Sequence, residues 1–207
     1  KIRGEIVFEN VNFAYEAQPI LKNLSFRVAP GERVALVGHT GAGKTTVLKL
    51  LARMYEPQSG RILIDGTDIR EIPRAELRRH MAFVLQDVFL FTGDLAYNVS
   101  LGRPEITAAE IEAAARTVHL EEFVRRLPLG YAQPVHERGQ NFSVGERQLL
   151  SFARALAQKP EILLLDEATS SVDTETEALI QDALHTLLSG KTSIVVAHRL
   201  STIQDVD

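Results

Sequence analysis

Residues Val34 to Thr45 read VALVGHTGAGKT. The first four are apolar and suit a buried strand. Glycines then crowd Gly38 to Gly43, and from Lys44 to Met54 the apolar positions Val47, Leu48, Leu51 and Met54 recur at helical spacing. The segment Gly38-His39-Thr40-Gly41-Ala42-Gly43-Lys44-Thr45 matches G-x-x-x-x-G-K-[ST] in its strand–loop–helix setting. Glycines let backbone N–H groups wrap a phosphate chain, and a helix N-terminus adds a favourable dipole. Lys44 brings positive charge to β- and γ-phosphates, and Thr45 offers a hydroxyl to Mg²⁺.

Upstream, Glu5 to Tyr15 is rich in Ile, Val, Phe and Tyr and predicts a strand. Leu24 to Val28 and Arg33 to Val37 predict two more, divided by Pro30-Gly31. Downstream, Pro57 and Gly60 close the helix, and Arg61 to Ile69 predicts a hairpin turning at Asp65-Gly66. Met81 to Gln86 is a short buried-strand candidate. Thr107 and Glu110 form a capping box opening a helix over Ala108 to Leu127, and a polar loop runs from Pro128 to Asn141. A further helix spans Gly145 to Gln158. Thr174 and Glu177 form another capping box, for a helix to about Leu188.

Ile162 to Leu165 (ILLL) is wholly apolar, as in a strand buried on both faces of a parallel sheet, and Ser193 to Ala197 (SIVVA) reads alike. Strands alternating with helices imply α/β with a mainly parallel sheet, and the stretch from about 88 to 158 forms a helical lobe of its own.

Ligands of such sheets sit beyond the carboxyl ends of the strands. Asp166 ends one strand and suits Mg²⁺, directly or through water. Glu167 follows it and suits the orientation and polarisation of an attacking water, as general base or hydrogen-bond acceptor. His198 ends SIVVAH on the same rim, within reach of a γ-phosphate or that water. Gln86, after MAFVL, either contacts Mg²⁺ or water or is a polar strand terminus. Tyr15 either stacks on a base or packs.

The chain has 207 residues, 45% hydrophobic and 24% charged, as in an ordinary soluble domain. Its longest apolar run, Met81 to Leu85, falls far short of the roughly 20 residues that span a bilayer. A net charge of −4 does not favour nucleic acid. The absence of cysteine excludes disulfides and thiolate metal sites. Lys1 opens the chain without a signal-peptide pattern, as in a piece cut from a longer, cytosol-facing protein.

These motifs, in this order, resemble the nucleotide-binding domain of ATP-binding cassette (ABC) transporters. The deciding stretch is Asn141-Phe142-Ser143-Val144-Gly145-Glu146-Arg147-Gln148, similar to the family signature LSGGQ, with Phe142 for Leu and Val144 for the first Gly. The resemblance covers essentially all of residues 1–207 and implies a P-loop NTPase (RecA-like) core with an N-terminal antiparallel β subdomain and an inserted α-helical subdomain. It implies an aromatic A-loop at Tyr15, Walker A at Gly38 to Thr45 followed by Thr46, and a Q-loop at Gln86. It further implies Walker B ending at Asp166, catalytic Glu167, a D-loop at Ser170-Ser171-Val172-Asp173 and an H-loop at His198.

In that arrangement ATP and Mg²⁺ bind Walker A of one chain. The signature of a second, identical or different, covers them with Ser143, Gly145, Glu146 and Asp173. Phe89-Leu90-Phe91, Glu137-Arg138-Gly139 and Val196-Ala197-His198-Arg199-Leu200-Ser201 resemble exporter domains, which implies transmembrane partners and a place on the cytoplasmic face of the cell membrane. Family members continue past the H-loop, so the end at Asp207 reads as trimmed.

Two other readings compete. A soluble cassette ATPase acting on ribosomes or DNA would carry paired cassettes, coiled-coil insertions or basic patches. A small-molecule kinase would need lid arginines and gives no reason for the signature.

Overall fold

The computed structural model describes residues 2–166 and 174–196. In chain order they form β1 (Ile6–Tyr15), β2 (Gln18–Val28), β3 (Arg33–Leu36), α1 (Lys44–Leu51), β4 (Ser59–Ile64), β5 (Thr67–Asp68), α2 (Arg74–Arg79) and β6 (Met81–Val84). There follow β7 (Gly93–Asp94), α3 (Leu95–Ser100), α4 (Ala108–Thr117), α5 (Glu121–Arg126), β8 (Pro134–Val135), α6 (Val144–Ala157), β9 (Ile162–Asp166), α7 (Thr174–Leu188) and β10 (Thr192–Val196). The described residues divide into two compact units, one holding residues 2–83, 160–166 and 190–196, the other residues 84–159 and 174–189.

The first unit carries an antiparallel sheet in the order β2-β1-β4-β5. Alternation in β1 turns Ile6, Phe8, Val11 and Phe13 into the core. Phe8 faces Phe26 across the β1–β2 pair, their rings stacked at 4.6 Å. The Asp65-Gly66 turn has positive φ at both residues, 50° and 81°, the twist a two-residue hairpin requires. A second sheet runs β3-β10-β9-β6, with β3, β10 and β9 parallel. Every residue of β9 and β10 is buried, which is why ILLL and SIVV carry no polar alternation. One core joins the sheets, with Leu48 and Leu51 of α1 packed among Ile62, Ile64, Leu164 and Ile194.

The second unit holds the helices α3 to α7 and the short β7–β8 ribbon. Thr107 caps α4 and Ser143 caps α6, each in a reciprocal capping box with the glutamate three residues on.

Three expectations need correcting. The helix over Ala108 to Leu127 is two helices. His119 takes a left-handed φ of 60°, ending α4 and turning Leu120 and Val124 into the core. The ring Nε2 of His119 lies 2.5 Å from Asp182 Oδ2 on α7. Helix α1 stops at Leu51 rather than Met54, because Arg53 adopts φ 50° where a glycine is usual. Met54 N–H then donates back to Lys49 O at 2.9 Å in a Schellman closure. Helix α7 already includes Thr174, so its cap position falls outside the described residues.

Candidate nucleotide-binding site

The first unit contains Tyr15, the glycine-rich loop and Asp166. The loop leaves β3 and enters α1 with Gly43 at the N-cap. Gly43 has φ 89°, and a Cβ there would stand 2.8 Å from Leu21 Cδ2 and 2.9 Å from Ile20 Cγ2, so only glycine brings the loop this close to β2. Gly38, His39, Thr40, Gly41 and Ala42 are exposed, Thr45 is half-buried and Thr46 is buried. No side chain caps α1 and no acidic residue stands in its first turn, so its leading N–H groups are left to an anion. Lys44 Nζ donates to Gly38 O at 2.6 Å and to His39 O at 2.9 Å. An ammonium has three hydrogens, so one remains for a phosphate oxygen.

Asp166 stands on the same rim. Leu36, Val196 and Asp166 occupy one register row across three parallel strands. At the usual strand spacing, two strands separate their backbones by roughly 10 Å. Asp166 Oδ1 is buried and has no hydrogen-bond partner among the described residues. An orphaned carboxylate oxygen in a buried strand end fits a cation. Mg²⁺ takes hard oxygen ligands, often one or two carboxylates with substrate phosphates, and the Thr45 hydroxyl belongs to the same donor class. Among the described residues no cluster of three or more acidic, His or Cys side chains could hold a metal alone, so phosphate oxygens would have to complete the shell.

Tyr15 lines a cleft of about 680 Å³ at the end of β1, with Phe13, Tyr55 and Gln58. Its ring meets Phe13 edge-on at 4.8 Å and Tyr55 edge-on at 5.2 Å. Its hydroxyl is buried without a hydrogen-bond partner among the described residues. Tyr15→Phe removes that unmet group and is expected to stabilise the fold by about 1 kcal/mol. For a chain of this size that raises the melting temperature by roughly 2–4 °C in a thermal scan. A fall instead would show the hydroxyl to be bonded.

The second unit holds Gln86 and the signature residues. Gln86 is exposed and lines a cleft of about 420 Å³ with Arg138, Gln140, Val144, Arg147 and Gln148. Ser143 N–H donates to Glu146 Oε2 at 2.7 Å, and Ser143 Oγ accepts from Glu146 N–H at 3.2 Å, so Glu146 serves the cap. The serine hydroxyl keeps its own hydrogen for another acceptor. Gly145 is buried beneath the first turn, Val144 is exposed, and Phe142 packs edge-on against Phe123.

The reading of residues missed Asn98 and Arg154. Asn98 is fully buried; its amide donates to Phe91 O and Asp94 O, and its Oδ1 accepts from Phe91 N–H. Arg154 donates to Asn98 O at 2.8 Å and Phe89 O at 3.0 Å, and burial pushes its guanidinium down to about 10. The signal was an arginine between the buried alanines Ala153 and Ala155. The clamp fixes a segment in which Phe89 and Phe91 are 50% and 42% exposed. Glu167, Asp173 and His198, with Ser170, Ser171 and Val172, lie outside the described residues.

Residues 21–170 match the family model described as ABC transporter. The chain is 52% identical over 207 residues to the fatty acid ABC transporter ATP-binding/permease protein of Mycobacterium tuberculosis, covering 100% of this chain and 33% of that protein. It is 53% identical over 205 residues to the probable multidrug resistance ABC transporter ATP-binding/permease protein YheH of Bacillus subtilis, covering 99% of this chain and 30% of that one. The chain thus spans about a third of the length of these curated relatives. Among solved structures, a bacterial Atm1-family ABC exporter with ATP bound superposes with a TM-score of 0.91 at 47% identity, covering 99% of this chain and 36% of that one. The strand–loop–helix with its braced lysine, the rim carboxylate and these likenesses agree: the chain belongs to the ABC transporter family, as its ATP-binding ATPase domain.

Proposed function

We propose that the chain is the ATP-driven motor of a membrane exporter. The supporting observation is its 47% identity and 0.91 TM-score to an ATP-bound exporter over 99% of its length. Among the described residues no helix is long and apolar enough to cross a membrane. The membrane-spanning part therefore belongs to other segments or chains, and this domain works at the cytoplasmic face. The exposed Phe89 and Phe91, held by Asn98 and Arg154, are the face that meets it.

In this reading the base of ATP rests on Tyr15 and its phosphates lie along Gly38 to Thr46. Lys44 draws charge from the β- and γ-phosphates as the leaving group forms. Thr45 and Asp166 would hold Mg²⁺, and Gln86, whose amide oxygen suits such an ion, is assigned to it on the family resemblance. When bound, the ion offsets the negative charge on the phosphate oxygens. Glu167 accepts a hydrogen bond from the attacking water and takes its proton, and His198 steadies the γ-phosphate. Ser143, with the N-terminus of α6, donates to the γ-phosphate of a second nucleotide-binding domain, which returns the same contact. Asp173 lies at that shared boundary. Binding shuts the two domains head to tail, and hydrolysis releases them.

The test is phosphate release against chain concentration with ATP and Mg²⁺. Since each site needs a signature from the partner, the rate per chain is expected to climb with concentration until the pair saturates. A strongly active monomer with a flat profile would overturn the shared site and favour a self-contained kinase-like one.

A further inference from the structure

We infer that Gln58 and Tyr55 are positioning residues for the base platform, holding Tyr15 where a nucleotide's base stacks. This rests on the reading of Tyr15 as that platform. Neither residue belongs to the phosphate loop or to any motif that the sequence singles out.

The backbone pairing of β1 with β4 ends at Asn12 and Ser59. Beyond it, Gln58 carries the ladder on. Gln58 N–H donates to Asn12 O at 3.0 Å. Its side-chain amide then replaces a strand: Nε2 donates to Ala14 O and Oε1 accepts from Ala14 N–H, both at 2.9 Å. An amide side chain has the donor and acceptor of a peptide group, so it closes a two-bond ring with one residue as a neighbouring strand does. Ala14 and Tyr15 are meanwhile paired on the other side to Pro19 and Gln18 of β2. Ala14 is thus held on both edges, and Tyr15, paired to Gln18, follows it directly as the last residue of β1.

Tyr55 holds the ring itself. It meets Tyr15 edge-on at 5.2 Å and Phe13 at 5.7 Å, while staying 45% exposed beside the same cleft. A large ring in that position is there because Arg53 turns the chain sharply after α1. Restricting the backbone and ring of Tyr15 before the base arrives lowers the ordering cost of binding.

The experiment is equilibrium competition on the full chain against a fluorescent ATP analogue, using ATP and inorganic tripolyphosphate as separate competitors. Gln58→Ala and Tyr55→Ala are each expected to weaken ATP about three- to tenfold, the loss of roughly one net hydrogen bond or ring contact. Tripolyphosphate, which has no base, should keep its affinity. Tyr55→Phe keeps the ring and should bind ATP as the parent does. With Tyr15→Ala as background, Gln58→Ala should add nothing, because it acts only through Tyr15. Equal losses for ATP and tripolyphosphate would make Gln58 merely structural and overturn the inference, as would full additivity with Tyr15→Ala. If Tyr15→Ala alone left ATP affinity unchanged, the platform reading itself would fall, and the inference with it.

Discussion

Glu167→Gln is expected to lower ATP turnover by at least a hundredfold while ATP still binds. Positioned acid–base groups contribute about 10²–10⁴-fold to such steps. The amide keeps the size and one acceptor of the carboxylate but has no charge to draw a proton from water. In the proposed reading binding rests on the loop at Gly38–Thr46 and on Tyr15, none of which the substitution alters. Glu167 directly follows Asp166, whose backbone stands in register with Leu36 and Val196 on the rim that receives ligand. Without hydrolysis the closed pair has no route to discharge. Sedimentation of the variant with ATP and Mg²⁺ should therefore show a dimer that the parent chain shows only in passing. Turnover near the parent rate in a two-domain assembly with both glutamates replaced would remove Glu167 from the role.

Much of this site is legible because its elements carry local signatures. ILLL admits few readings other than a strand buried on both faces, and β9 is one. The glycine-rich loop announces itself because Gly43 has a neighbour at 2.8 Å where any Cβ would be. Ser143 and Glu146 lie three residues apart at a helix start, and the capping box follows.

What escaped depends on tertiary partners or on single dihedral angles. Apolar spacing continues through Val118 and Phe123 as if one helix ran on. Nothing in that spacing shows that His119 takes a left-handed φ, with its ring turned to Asp182. Met54 continues the pattern of α1, but Arg53 leaves the helix, its guanidinium donating to Ile69 O and Ile72 O. Gln58 looks like an ordinary loop residue until Ala14, 44 positions away in the chain, is found as its partner. Arg154 reads as helix filler until its acceptors on Asn98 and Phe89 are seen. Side chains that satisfy distant backbone groups leave no periodicity to read.

Lys44→Ala is the sharpest test of the phosphate loop. Lys44 is 9% exposed, and its ammonium donates to two carbonyls of its own loop, at 2.6 and 2.9 Å. It braces the loop, and in the proposed reading it also presents charge to the phosphates. Losing a charge-assisted contact costs about 1.5–3 kcal/mol, which is roughly a 10- to 150-fold rise in the dissociation constant of ATP. Tripolyphosphate should weaken alongside ATP, because the lost contact is to phosphate and not to base. Lys44→Met separates the two duties from simple cavity formation, since it keeps most of the aliphatic stem and removes only the charge. It is expected to match Lys44→Ala in affinity. Lys44→Arg is expected not to restore affinity, because a planar guanidinium differs from a compact ammonium in the geometry of its donors. Should both Lys44→Ala and Lys44→Met bind ATP as the parent does in the same competition assay, the loop would not be a phosphate cradle, and the remaining assignments on its rim would lose their reference point.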